Sequence, residues 1–172
     1  DINGEAMIVH VWRRSIESKL GRVVVACGEN EIVKTIEDAG GEAVLTDPNE
    51  PSGSDRIFSA LRKIDPDGQH DAIINVQGDL PVLEDSTIKA AWLLLANKEV
   101  SIGTVAAQIT IDEERTNPSV VKAIVAWNAD ELTGRALYFT RATAPAGDGP
   151  LFHHIGLYAY RRAALERFVA LP

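Results

Sequence analysis

Apolar residues recur at helical spacing near the start of the chain, where Ile8, Val11, Trp12, Ile16 and Leu20 share a face and Gly21 closes the run. Residues 22–27 follow as a continuous β-branched stretch, the pattern of a strand buried on both faces. Asn30 then offers a cap to a helix carrying Ile32, Val33 and Ile36, which ends at Gly40-Gly41. A strand is expected over 42–45, a helix from about Asp55 bearing Ile57, Leu61 and Ile64, and a buried strand over 72–76. Asp85-Ser86 caps a helix with Ile88, Ala91, Trp92 and Leu95, and a strand over 102–107 comes next. Such repeated crossovers predict an α/β chain with a mostly parallel, doubly wound central sheet. From Asn117 the pattern changes to strands over 120–125, 136–141 and 154–160 separated by turns at 128–134 and 146–150, read as a smaller antiparallel lobe. A helix over 162–171 closes the chain.

At 172 residues and 45% hydrophobic content the chain has the size of one domain, expected to span 1–172. The 17 Lys+Arg against 25 Asp+Glu give a formal charge of −8, so no basic field draws in nucleic acid or an anionic membrane. An anionic ligand must therefore be held by individually placed Arg and Lys. The single cysteine, Cys27, sits in an apolar run as a buried, inert thiol, which excludes an internal disulfide and a Cys-based metal site. No stretch approaches the ~18 consecutive apolar residues of a membrane span, and the start has no basic-then-apolar leader pattern, so a cytoplasmic location is expected.

In open α/β sheets ligands collect beyond the carboxyl ends of strands, and Val76 ends one. Gln77 can donate and accept, Gly78 lets backbone approach a ligand, and Asp79 supplies a hard oxygen suited to Mg²⁺. An Asp-containing turn closed by Pro81 explains the same residues equally well. The segment Pro51-Ser52-Gly53-Ser54-Asp55-Arg56 precedes a helix, so its free N–H groups and the Arg56 fork suit an anion, although a plain Ser/Asp cap with a solvated Arg is the simpler account. Period-two alternation puts His154, Gly156, Tyr158 and Tyr160 on one face, either a polar surface for a sugar or ordinary packing. The adjacent His153-His154 pair points to opposite faces and cannot chelate one metal. Arg141 after its strand and Lys122 within one are further cations for an anionic ligand, and an exposed edge position is the alternative for Lys122.

Six segments in order resemble the 3-deoxy-manno-octulosonate cytidylyltransferases, or CMP-Kdo synthetases, over essentially the whole chain. They are Gly4-Glu5-Ala6-Met7-Ile8-Val9-His10-Val11, Ser52-Gly53-Ser54-Asp55-Arg56, Asn75-Val76-Gln77-Gly78-Asp79, Asn117-Pro118-Ser119-Val120-Val121-Lys122, Ala136-Leu137-Tyr138-Phe139-Thr140-Arg141-Ala142 and His154-Ile155-Gly156-Leu157-Tyr158-Ala159-Tyr160-Arg161. The resemblance implies a Rossmann-like nucleotide-diphosphosugar-transferase sandwich, a homodimer, and CMP transfer from CTP to 3-deoxy-manno-octulosonate (Kdo) with release of pyrophosphate, feeding lipopolysaccharide synthesis. It also implies that Asp79 holds Mg²⁺ and that Gln77 contacts nucleotide or sugar. Arg56, with Ser54 and Gly78 nearby in sequence motifs, belongs to the nucleotide site by the same resemblance. Arg141, His154 and Tyr158 would line the sugar pocket, Arg141 suiting the carboxylate, with Lys122 a further anion contact.

Departures from the family pattern fall mainly at the ends. Its N-terminal strand and phosphate-holding basic loop are expected before Asp1, and its second metal carboxylate after Pro172. Leu80 also stands where a Glu is common. A cytidylyltransferase for sialic acid and a non-catalytic nucleotide-binding homologue are the alternatives. No Gly-x-Gly-x-x-Gly follows any strand, which argues against a dinucleotide-binding oxidoreductase.

Overall fold

The computed structural model describes residues 1–171; Pro172, the last residue of the expected domain, lies outside the described residues. The elements run α1 (Met7–Glu17), β1 (Val25–Cys27), α2 (Asn30–Asp38), β2 (Ala43–Leu45), α3 (Gly53–Ile64), β3 (Ala72–Val76) and α4 (Asp85–Leu93), the last followed by a 3₁₀ turn, Leu94–Ala96. They continue with β4 (Ile102–Gln108), α5 (Asp112–Thr116), β5 (Lys122–Trp127), β6 (Gly134–Thr140), β7 (Phe152–Arg161) and α6 (Arg162–Val169). The chain divides into two compact units, Asp1–Gly103 with the chain from Leu157 onward, and Thr104–Gly156.

In the first unit β1 and β2 pair in parallel, Val25 opposite Ala43 and Cys27 opposite Leu45. β3 pairs with the second half of β7 in antiparallel register, from Ala72 opposite Arg161 to Val76 opposite Leu157. The core here joins Leu61, Tyr160 and Leu165, with Ile57, Phe58, Ile73 and Tyr158 packed against it. Each fully buried leucine contributes on the order of 1.5–3 kcal/mol. Tyr160 is too polar to be buried unpartnered, and its Oη lies 3.1 Å from Ser54 Oγ.

At the amino end of β3, α3 ends on Asp65, which is 4% exposed. Its carboxylate accepts from the backbone N–H groups of Gln69 at 2.8 Å and His70 at 2.9 Å, and from Arg162 Nη1 at 2.5 Å. Gly68 makes the enclosing turn possible by adopting φ of +70°.

In the second unit β5 and β6 pair antiparallel with a register shift between Ile124 and Val125, and Lys122 stands opposite His153 of β7. Ile109, Val120 and Leu151 form its core. The antiparallel lobe expected from the pattern is present in these pairs.

The mostly parallel central sheet is not. The five-stranded sheet has the order β3-β7-β5-β6 with β4 also on β7, its pairs β3–β7, β5–β6 and β5–β7 are antiparallel, and the parallel pair β1–β2 forms a separate sheet. Helical crossovers do separate the early strands, as periodicity indicated, but β3 takes as neighbour a strand from the far end of the chain running the other way. Hydrophobic period reports which faces a strand buries and carries no record of which strand lies beside it.

Candidate active site

The five uncharged residues of β3, four of them apolar, carry the chain to Gln77, Gly78 and Asp79, all exposed. A turn closes immediately, with Leu80 N–H donating to the Gln77 carbonyl at 3.3 Å. A cavity of about 830 Å³ reaches these residues and is also lined by Ile8, Trp12, Gly53, Arg56 and Asn75. A smaller one of about 320 Å³ sits at the carboxyl end of β1 among Cys27, Gly28, Pro48, Arg56 and Gly78. Arg56 and Gly78 line both, so two of the residues singled out from sequence meet at one place.

The segment before α3 is a helix cap as well as a cavity wall. Ser52 caps it, its Oγ accepting from Asp55 N–H at 3.3 Å and donating to Asp55 Oδ2. One turn on, Arg56 is not a solvated cation. Its Nη1 donates to Thr46 Oγ1 at 2.8 Å and to the Asp47 carbonyl at 3.1 Å, and its Nη2 to the Pro48 carbonyl at 3.2 Å. Ser54 is buried, and its hydroxyl faces Tyr160 rather than solvent. Tyr158, half-buried, stacks on Tyr160 with ring centroids 5.8 Å apart. Burial, and next the neighbouring Tyr160, push the Tyr158 phenol up; burial does the same to Tyr160, against the Ser54 hydrogen bond. The open polar face expected along this part of β7 is thus partly covered, because α3 and α6 pack apolar side chains against Tyr158 and Tyr160.

Within the second unit two predicted side chains, Lys122 and Arg141, donate to the loop before β5, and the backbone N–H of a third predicted residue, His154, donates to the Val121 carbonyl at 2.8 Å. Lys122 is fully buried, its Nζ donating to the carbonyls of Asn117 at 2.7 Å and Val120 at 2.9 Å. Its exposed-edge alternative is therefore overturned: the charge is kept in the interior by backbone dipoles. Arg141, exposed, donates from Nη1 to the Pro118 carbonyl at 2.9 Å. His154 lies 3.0 Å from Thr104 Oγ1 and 4.6 Å from the Phe139 ring, and burial, then the adjacent His153, push its imidazole down towards the neutral form.

Among the described residues no group of three or more His, Cys, Asp or Glu side chains could hold a metal ion. What Asp79 offers is a single exposed carboxylate with no hydrogen-bond or ion-pair partner among the described residues. That donor fits Mg²⁺, which takes one or two protein carboxylates and completes its shell with water and phosphate oxygens.

Two residues escaped the sequence reading. Thr46, 4% exposed, receives Arg56, and Gly28 stands where a side chain would strike Arg56 and Pro48. The rule that ligands gather beyond strand ends was applied to Val76; applied also to Cys27 and Leu45, it points to both.

The family model for cytidylyltransferases matches residues 1–172. Similar curated proteins include the 3-deoxy-manno-octulosonate cytidylyltransferases of Paramagnetospirillum magneticum, 58% identical, and Parvibaculum lavamentivorans, 59% identical, each over all of this chain. The chain spans 70% and 66% of their respective lengths. A solved CMP:2-keto-3-deoxy-manno-octonic acid synthetase complexed with CTP superposes with a TM-score of 0.86 at 29% identity, covering all of this chain and 70% of that one. The 4-diphosphocytidyl-2C-methyl-D-erythritol synthase of Anaerococcus prevotii, at 13% identity and TM-score 0.59 over 99% of this chain and 70% of that one, shares the fold.

Proposed function

We propose, for a chain that belongs to the 3-deoxy-manno-octulosonate cytidylyltransferase family, that it transfers CMP from CTP to Kdo with release of pyrophosphate. The observation that carries this reading is the meeting of Arg56 and Gly78 on two adjoining cavities, with Gln77 and Asp79 at the mouth of the larger one.

In such a reaction the anomeric hydroxyl attacks the α-phosphorus of CTP and pyrophosphate departs, so the protein's work is positioning and charge stabilisation. Arg56 would give the nucleotide a cation already fixed by three backbone and side-chain acceptors. Gly78 admits close approach of backbone to ligand, and the Gln77 amide would orient nucleotide or sugar. Ser54 belongs to the site as support, since its hydroxyl anchors Tyr160 behind α3. Mg²⁺, our choice of divalent cation, would offset phosphate charge, and Asp79 is the residue that would hold it. Arg141 is assigned to the sugar carboxylate, with His154 and Tyr158 as sugar contacts. Lys122 is assigned to holding the 117–120 loop rather than to touching ligand, because its ammonium is enclosed there.

A homodimer is part of the same reading. β6 exposes Leu137 and Tyr138 by 60% and 65%, apolar area that a second copy would cover, and sedimentation of the full-length protein tests it. No helix among the described residues is long and apolar enough to cross a membrane, and we place the protein in the cytoplasm with its nucleotide substrate.

The test is pyrophosphate release by the full-length gene product given CTP, Mg²⁺ and Kdo, with sialic acid in a parallel arm. Release that requires Kdo and collapses in Asp79→Asn is expected. Bound CTP without release for either sugar would leave a nucleotide-binding module instead.

A further inference from the structure

We propose that Thr46 and Gly28 are positioning residues for Arg56, setting the affinity of the site for CTP without touching it. This deepens, and rests on, the reading of Arg56 as a nucleotide contact.

An arginine on the surface of a helix samples many rotamers, and fixing it before a ligand arrives removes an entropic cost from binding. Thr46 performs that fixing through a two-step relay. Its backbone N–H donates to the Cys27 carbonyl at 2.8 Å and its hydroxyl donates to the same oxygen at 3.1 Å. With the hydroxyl proton committed to β1, the Oγ1 lone pairs turn outward to accept Arg56 Nη1 at 2.8 Å. The threonine is 4% exposed, so water does not compete for that oxygen. The carbonyls of Asp47 and Pro48 complete the cradle, engaging three of the five guanidinium N–H groups and leaving Nε and one Nη2 proton for a ligand.

Gly28 makes the cradle geometrically possible. A Cβ built there would lie 2.8 Å from Arg56 Nη1 and 2.8 Å from Pro48 Cα. The first atom could swing away, at the expense of its hydrogen bonds. The second is backbone and cannot move without carrying the 46–48 loop with it. Gly28 has no positive φ, so the requirement at this position is space, not conformation. The sequence thus places one glycine and one threonine at the carboxyl ends of the two parallel strands, and both serve a single guanidinium presented by α3.

The test uses the full-length protein with five variants: Thr46→Val, Thr46→Ser, Gly28→Ala, Arg56→Ala and the double variant Thr46→Val/Arg56→Ala. CTP affinity is read by titration calorimetry, with KM and kcat for pyrophosphate release beside it and a thermal melt confirming folding. Thr46→Val should weaken CTP binding by roughly tenfold, the value of a hydrogen bond to a charged group, and raise KM more than it lowers kcat. Thr46→Ser, which keeps the hydroxyl, should stay within about twofold of the parent. Gly28→Ala should resemble Thr46→Val, and it decides the matter should Thr46→Val not fold. Adding Thr46→Val to Arg56→Ala should change nothing further, since the relay then has no recipient. If Arg56→Ala weakens CTP binding while Thr46→Val and Gly28→Ala bind like the parent, or if the Thr46 effect persists without Arg56, the positioning role is wrong and the nucleotide role of Arg56 survives. If Arg56→Ala binds CTP as the parent does, both fall together.

Discussion

At the amino end of β3 the carboxylate of Asp65 is closed in by two backbone N–H groups, the Arg162 guanidinium and the His70 ring, and the residue is 4% exposed. At the carboxyl end, a few residues along the same strand, Asp79 is exposed at the mouth of a cavity and has no hydrogen-bond or ion-pair partner among the described residues. One aspartate has both carboxylate oxygens hydrogen-bonded by the protein; the other keeps its oxygens for something that arrives. Saturated polar clusters hold a fold together, whereas an unsaturated carboxylate contributes little to folding and is available for chemistry.

The sharpest way to break this comparison is to neutralise each aspartate in turn. Asp79→Asn should lower kcat for pyrophosphate release by on the order of 100-fold, the scale of losing one ligand to a charge-stabilising cation, with the melting temperature almost unchanged. Asp65→Asn should do the reverse, lowering the melting temperature by on the order of 5–10 °C because buried donors lose their acceptor, with KM for CTP unmoved in the folded protein. A fall in activity at 25 °C for Asp65→Asn, or a large loss of stability for Asp79→Asn, would erase the distinction.

Acid sharpens it further. Burial by itself pushes the Asp65 carboxyl up, but the N–H groups of His70 and Gln69, then Arg162 and the His70 ring, together hold it well below the ordinary value of 3.8. A carboxyl depressed in the folded state adds stability that is complete above its unfolded value and is lost as pH falls below it towards the folded value. Denaturant titrations from pH 5 downwards should therefore show a stability loss, beginning near pH 4, that is blunted in Asp65→Asn. The smallest effect belongs to Ser54→Ala, which removes one neutral hydrogen bond from Tyr160 and should cost about 1 kcal/mol in urea unfolding.

The two ends were not equally legible in the sequence. Asn75 to Asp79 announced itself locally, as an uncharged strand stopping at Gln-Gly-Asp, and α3 could be read from Ser52 and its periodic apolar residues. Asp65 gives no such local signal, because its decisive partner, Arg162, lies on α6 and comes beside it only when β7 pairs with β3. The same non-local pairing defeated the expectation of a mostly parallel sheet. Lys122 was visible as an anomaly in an apolar strand, but whether such a charge faces water or carbonyls depends on how the preceding loop folds back over it. Arg56 could be named as a candidate site residue from its motif, whereas its support could not, since neither Gly28 nor Thr46 has a local reason to attract notice.

The enclosure of Lys122 has a consequence for chemical labelling. Lys19, Lys34, Lys63 and Lys98 are exposed and Lys89 is half-buried, whereas Lys122 has no accessible surface. An amine-acylating reagent should therefore modify the others promptly and reach Lys122 only during excursions in which β5 parts from the loop that precedes it. Its acylation rate, followed by peptide mass, becomes a clock for the opening of that unit under native conditions, supplied by the protein without any introduced probe.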